Sequence, residues 1–137
     1  MNSDFTLAVH SLTLLSLLPD RMCSSDAIAK SACVHPVRIR KVLGLLKRQG
    51  LIQSKEGTGG GFVFVKDPAD VTLWELYKLT SEGSLLPKCP KANSECIVGS
   101  SMKSVLTSIF SEGEQHLGIF LNQYTIKDII KQVKQEQ

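Results

Sequence analysis

Apolar side chains recur every three to four residues along most of the chain, which is the spacing of an amphipathic helix. This pattern predicts a helix over residues 3–18, a second from Ala27 to Cys33 and a third from Pro36 to Gln49, which Gly50 ends. Further helices are predicted over residues 71–81, over residues 98–122 and after Thr125, an N-cap residue type. We therefore expect a mainly α-helical chain.

Residues 51–66 interrupt the helical pattern with two short predicted β-strands, residues 51–55 and 61–66. The turn between them, Glu56-Gly57-Thr58-Gly59-Gly60, is rich in glycine, which permits positive φ angles and a close approach to a partner. It is not a nucleotide-phosphate loop, because GxxxxGK[ST] is absent and no helix follows the glycines. With the two helices before it, this hairpin predicts a winged helix-turn-helix with a small two-stranded wing.

The predicted helix over residues 36–49 has the features of a DNA recognition helix. One apolar stripe (Ile39, Val42, Leu43, Leu46) must face the core, and the opposite face is basic near its start. Recognition helices present their N-terminal residues to base edges, where Arg and Lys donate to guanine or to phosphate. The DNA-binding residues that we predict in this helix and the wing are Val37, Arg38, Arg40, Lys41, Arg48, Lys55, Thr58, Gly59 and Gly60.

The net charge of +3 conceals an uneven distribution. Residues 1–66 contain nine Lys and Arg against four Asp and Glu, a net charge of +5, whereas residues 67–137 contain seven against nine, a net charge of −2. Between Asp26 and Glu56 there are seven basic side chains and no acidic one. Such a positive surface favours a polyanion such as double-stranded DNA, although a solvated basic face without a partner is the alternative.

The sequence predicts three parts: a winged helix-turn-helix DNA-binding domain (residues 1–81), a cysteine-bearing loop (82–97), and a dimerisation helix with a C-terminal helix (98–137). The loop lacks periodicity, and unstructured loops of this length are often functional. A helix over residues 98–122 would be about 40 Å long, which is more than the winged helix-turn-helix domain of residues 1–81 (the head) needs. We expect it to pair antiparallel with the same helix of a second subunit and so form a homodimer.

Four cysteines are present, but the sequence does not indicate a disulfide framework. No apolar run reaches the roughly 18 to 20 residues of a membrane span, and the first apolar stretch lacks the basic start of a signal peptide. We therefore expect a cytoplasmic protein with no membrane partner, in which thiols stay reduced.

Three of these cysteines, Cys33, Cys89 and Cys96, are candidates for redox sensing. Cys33 directly precedes the turn before the recognition helix, where basic neighbours favour a thiolate, and Cys89 lies between two lysines. Cys96 has Glu95 beside it, which is a less favourable setting. The alternative is that Cys33 is packed in the core and the loop thiols are inert.

Other classes of function receive less support from the sequence. Its three histidines, His10, His35 and His116, are dispersed, and neither HExxH nor a nucleophile–base pair is present, so no enzyme is indicated. Two alternatives to a redox-controlled DNA-binding regulator remain: a winged-helix module that binds an acidic protein, and a regulator that senses a metal or a small ligand.

The order of the parts resembles the Rrf2 family of bacterial winged helix-turn-helix transcription regulators. The resemblance covers essentially the whole chain and is most specific at Gly50-Leu51-Ile52, at the segment GTGGGF (57–62) and at DPADVTLWEL (67–76). It implies a homodimer that binds a pseudo-palindromic operator, usually as a repressor, and that senses an effector or cofactor through the loop before the dimerisation helix.

Two positions depart from the pattern of that family. Cluster-binding members carry three cysteines in the loop and a further ligand nearby, whereas this loop has only Cys89 and Cys96. Since an iron–sulfur cluster normally needs four ligands, we expect no cofactor and no metal here. In the wing, Glu56 stands where family members often have Arg, so that a minor-groove arginine is not available and more of the specificity falls on residues 37–41.

Overall fold

The computed structural model describes residues 2–137 and is mainly α-helical, as predicted. Its helices are α1 (Ser3–Leu17), α2 (Ser25–Ala32), α3 (Pro36–Arg48), α4 (Leu73–Ser81), α5 (Ile97–Leu121) and α6 (Ile126–Gln135). Its strands are β1 (Met22–Cys23), β2 (Ile52–Lys55) and β3 (Gly61–Phe64), and short 3₁₀ turns lie at Pro19–Arg21 and Pro68–Asp70.

A single apolar core is built around α1, which packs against α2, α3, α4, α6 and strand β3. The stripe predicted on α3 is confirmed, because all four of its side chains are fully buried. Since α3 gives that stripe to the core, its opposite face is left for solvent or a partner. The largest fully buried aliphatic side chains are Leu12, Leu15, Ile28, Ile39, Leu43, Leu46, Ile52, Leu76, Ile126 and Val42.

The predicted two-stranded wing, β2 paired with β3, is confirmed, and a third strand that was not predicted extends it to an antiparallel sheet in the order β1-β3-β2. In the added strand, Met22 pairs with Val63 and Cys23 with Phe62. β1 comprises two residues, too few for alternation to reveal it. Its approach depends on Gly61 (φ +154°), because a Cβ atom there would collide with the backbone carbonyl of Cys23.

Side-chain caps fix where the helices begin. The Ser24 hydroxyl accepts a 3.2 Å hydrogen bond from the Ala27 N–H at the start of α2, which therefore begins before the predicted Ala27. Thr72 accepts one of 3.2 Å from the Glu75 N–H, so α4 begins at residue 73 rather than 71. Thr125 and Asp128 form a capping box at the start of α6.

α5 projects a largely uncovered apolar surface. In its 25 residues only Glu114 and Gly118 are buried. Its exposed apolar side chains include Ile97, Val98, Met102, Val105, Ile109, Phe110, Ile119 and Phe120. Within residues 2–137, no helix combines the length and the apolar character that crossing a membrane requires.

Candidate nucleic-acid interface and cysteine loop

α2, α3 and the turn between them have the arrangement of a helix-turn-helix. The C-cap residue of α2, Cys33, adopts a left-handed conformation (φ 55°, ψ 44°), and the Val34 N–H donates to the Ala29 carbonyl over 3.1 Å. His35 caps α3, since its Nδ1 accepts a 3.1 Å hydrogen bond from the Val37 N–H, and Pro36 occupies the first helical position. The turn thereby fixes the direction in which the start of α3 points.

The outer face of α3 is exposed at its start and its end, and half-buried at Gly44. Val37 is 64% exposed at its start, and Arg38, Arg40, Lys41 and Arg48 are also exposed. Beside them, a Cβ atom added at Gly44 would contact nothing within 4 Å. The predicted recognition-helix residues therefore share one accessible surface.

Two cations of this face are engaged by carboxylates that spacing could not reveal. Arg40 Nη2 lies 3.3 Å from Asp26 Oδ1 on α2, and Lys41 Nζ lies 3.4 Å from Oδ2 of the largely buried Asp4 on α1. The Arg40–Asp26 pair is exposed on both sides and therefore contributes little to stability, whereas the pair of Lys41 involves a carboxylate that is largely shielded from water. Arg38 makes no ion pair with any residue from 2 to 137.

The wing follows α3 closely, because β2 begins four residues after the helix ends and packs against it. In its turn, Gly57 (φ +95°) and Gly59 (φ +76°) need left-handed backbone, and the Gly60 N–H donates to the Gly57 carbonyl over 3.0 Å. Thr58 and Gly59 are exposed at the tip, beside exposed Lys55, whereas Gly60 is half-buried. Only glycine permits this tight, backbone-exposing turn.

The four thiols are free and differ in their surroundings. Cys33 is exposed, which contradicts the alternative that it is packed in the core. Cys23, which was not among the candidates, lies in β1, and burial raises its pKa. The position of Cys23 in sequence gave no signal of this, because β1 itself was not predicted.

Cys96 occupies the N-cap position of α5. The backbone N–H groups of Gly99 and Val98 lower the pKa of its thiol below the usual value. The less favourable setting predicted for Cys96 from its neighbour Glu95 took no account of these backbone donors, which favour its thiolate.

The donor set does not fit the iron–sulfur cluster that relatives of this kind can carry. In residues 2–137 there is no group of three or more His, Cys, Asp or Glu side chains placed to hold a metal ion. The loop supplies the thiols of Cys89 and Cys96 only, and three to four protein ligands are the norm for a cluster or a zinc site.

The junction between head and α5 contains a buried polar group that sequence reasoning missed. Glu114 is 7% exposed, and one of its carboxylate oxygens accepts hydrogen bonds from the Tyr77 hydroxyl (2.7 Å) and the Gly83 N–H (2.9 Å). A glutamate on the buried face of a predicted amphipathic helix was the available signal. It joins α4, the start of the loop and α5.

Comparison with known proteins agrees with this architecture. The model of the Rrf2 family, described as iron-dependent transcriptional regulators, matches residues 1–132. YwnA of Bacillus subtilis, named as an HTH-type transcriptional regulator, is 30% identical over 95% of this chain and 96% of its own length.

Solved structures share this fold. The crystal structure of a transcriptional regulator from Lactobacillus plantarum superposes with a TM-score of 0.84 at 26% identity, covering 98% of this chain and 91% of that one. IscR of T. potens shares the fold, with a TM-score of 0.73 at 17% identity over 100% of this chain and 90% of its own. Since the family model matches nearly the whole chain and YwnA is 30% identical over nearly the full length of both proteins, the chain belongs to the Rrf2 family of DNA-binding transcription regulators, which are not enzymes.

Proposed function

We propose that the protein is a homodimeric repressor that binds a pseudo-palindromic operator through the outer face of α3 and the wing turn. The observation that carries this proposal is the exposed basic face of α3, whose first turn is fixed by His35 and Pro36 and presents Val37 and Arg38. α3 would lie in the major groove, with Arg38, Arg40 and Lys41 donating to base edges or phosphates. Arg48, Lys55 and the turn Thr58-Gly59-Gly60 would follow the phosphate backbone.

The wing is proposed to position the protein on the DNA backbone more than to discriminate between sequences. Glu56 is exposed at the start of its turn and repels phosphate, so the contact would come from Lys55 and from the backbone of the glycine turn. Sequence preference then depends mainly on residues 37–41.

Homodimerisation is proposed through the apolar surface of α5. Eight large apolar side chains of this helix are 42% to 81% exposed, a density unusual for a surface that only water covers. Antiparallel pairing of two such helices would bury them and join two reading heads, each a domain of residues 1–81. Two heads related by a twofold axis read half-sites about one helical turn apart, or a multiple of it.

Control by cysteine oxidation is the finer part of the proposal. Cys33 is exposed at the turn before α3, and Cys89 and Cys96 both lie within the loop of residues 82–97. A disulfide from Cys33 to a loop cysteine, of the same subunit or of its partner, would change the orientation of α3. If Cys33→Ser leaves the effect of diamide on DNA binding unchanged, this switch does not exist.

Operator selection from genomic fragments, with reduced and oxidised protein side by side, tests the proposal as a whole. We expect reduced protein to enrich fragments with an inverted repeat and oxidised protein to enrich them less. Recovery of fragments without any shared inverted repeat would contradict the dimeric operator model. Equal enrichment in both states would contradict only redox control.

A further inference from the structure

A cavity of about 430 Å³ lies between the cysteine loop and the first turns of α5, and its lining includes no residue of α3. The loop is seated closely on the helix, since a Cβ atom at Gly99 would lie 2.5 Å from the carbonyl oxygen of Asn93. Gly99 therefore allows the loop backbone to form one wall of the cavity while α5 forms the other.

The polar part of this cavity is exclusively basic or neutral. Lys88 and Lys91 line it from the loop and Lys103 from α5, and no Asp or Glu is in the lining. None of the three lysines forms an ion pair with any residue from 2 to 137. Three uncompensated ammonium groups around one concave surface concentrate anions there.

The remainder of the lining is apolar and contains a thiol. Pro90, Met102 and Leu106 supply aliphatic surface, which suits the carbon skeleton of an organic molecule. Cys89 is half-buried in the loop wall, with its thiol 3.8 Å from the Pro87 carbonyl. The cavity thus combines charge, apolar surface and a nucleophile.

We propose that this cavity binds small organic anions and directs anionic disulfides to Cys89. The Cys89 thiol releases its proton to solvent, and the thiolate attacks one sulfur of the bound disulfide. A new S–S bond forms as the S–S bond of the reagent breaks, and the second sulfur leaves as a thiolate with the bonding electron pair. Cys89 is oxidised and the leaving sulfur is reduced. This site does not require that the protein bind DNA, so either proposal can fail without the other.

The test compares two disulfides on full-length protein that retains only Cys89 (Cys23→Ala, Cys33→Ser, Cys96→Ser). One probe is the dianion dithiobis-nitrobenzoate, and the other is neutral dithiodipyridine. The quantity compared is the rate of dithiobis-nitrobenzoate divided by the rate of dithiodipyridine. This ratio does not depend on the fraction of Cys89 present as thiolate, because that fraction affects both rates alike. Replacing the cavity lysines (Lys88→Gln, Lys91→Gln, Lys103→Gln) should lower the ratio about tenfold at low salt.

Two controls make the result specific to the cavity. The α6 variant Lys127→Gln, Lys131→Gln, Lys134→Gln loses the same charge and should keep the original ratio. Added salt should lower the ratio for the protein with its lysines intact. Because this protein carries no lysine substitution, a folding defect of the cavity variant cannot explain that result. An unchanged ratio in the cavity variant, an equal loss in the α6 variant, or a salt-independent ratio would each overturn the proposal.

Discussion

The hydroxyl of Tyr77 donates a 2.7 Å hydrogen bond to the carboxylate of Glu114, across the junction between α4 and α5. Tyr77 is fully buried, and its ring stacks on Trp74 at 5.3 Å between ring centroids. This contact is a main attachment of the long helix to its own head, since α5 buries little else. Changes in α5 or in the loop can reach the head through it.

Removing the carboxylate should therefore destabilise the fold. Glu114→Ala removes the acceptor of the Gly83 N–H and leaves the Tyr77 hydroxyl with only the Ser84 hydroxyl, 3.2 Å away, at a cost of about 1–3 kcal/mol in the free energy of unfolding. Glu114→Gln retains an acceptor oxygen and should cost less. Urea denaturation followed by Trp74 fluorescence measures both. Equal stability of Glu114→Ala and the unchanged protein would refute this role.

The same contact predicts a loss of stability at alkaline pH. Burial, with a further contribution from Glu114, raises the pKa of Tyr77 above its usual value. A group whose pKa is raised in the folded state contributes stability that is complete below its unfolded pKa, about 10. That stability is lost as the pH rises through the folded pKa. In the Tyr77→Phe variant, the unfolding free energy should therefore fall less steeply above about pH 10. An identical slope in both proteins would contradict the assignment.

The two glycines of α5 that lie beyond its middle should respond in opposite ways to alanine. At Gly118 a Cβ atom would lie 2.7 Å from Cε2 and Cζ2 of Trp74, whose ring cannot move freely against Tyr77. Gly118→Ala should shift Trp74 fluorescence and destabilise the protein. At Gly113 nothing lies within 4 Å, so Gly113→Ala should stabilise it by up to about 1 kcal/mol. Thermal unfolding of both variants is the comparison, and the same sign of change would be inconsistent with this packing.

Cys96 should remain reactive at lower pH than Cys23. Because the N–H groups of Gly99 and Val98 lower its pKa while burial raises that of Cys23, the thiolate of Cys96 persists where that of Cys23 is protonated. Single-cysteine proteins retaining either residue can be alkylated with iodoacetamide across a pH series. The midpoint for Cys96 should lie below that for Cys23, and the reverse order would contradict the effect of these N–H groups on the Cys96 thiol.

Local rules predicted much of this fold from sequence. Residue type and spacing predicted the stripe on α3, the N-cap at Thr125 and the glycine turn of the wing to within a few positions. What escaped prediction depends on residues far apart in the chain. β1 exists because Gly61 admits it, and Lys41 meets Asp4 only after α1 packs on α3. The N-cap of α5 likewise changes the setting of Cys96 in a way that its sequence neighbour Glu95 does not indicate.

The affinity of the selected operator for a variant with Arg38→Ala, Arg40→Ala and Lys41→Ala, measured against salt concentration, decides whether α3 reads DNA. The matched control removes Lys127, Lys131 and Lys134 from α6 and loses the same charge. We predict that the α3 variant loses affinity, with about 1–3 kcal/mol of discrimination for each good base contact, and that its dependence on salt becomes shallower. The control should bind as the unchanged protein does. Operator affinity that survives in the α3 variant, or that falls equally in both, would contradict the docking of α3 on DNA.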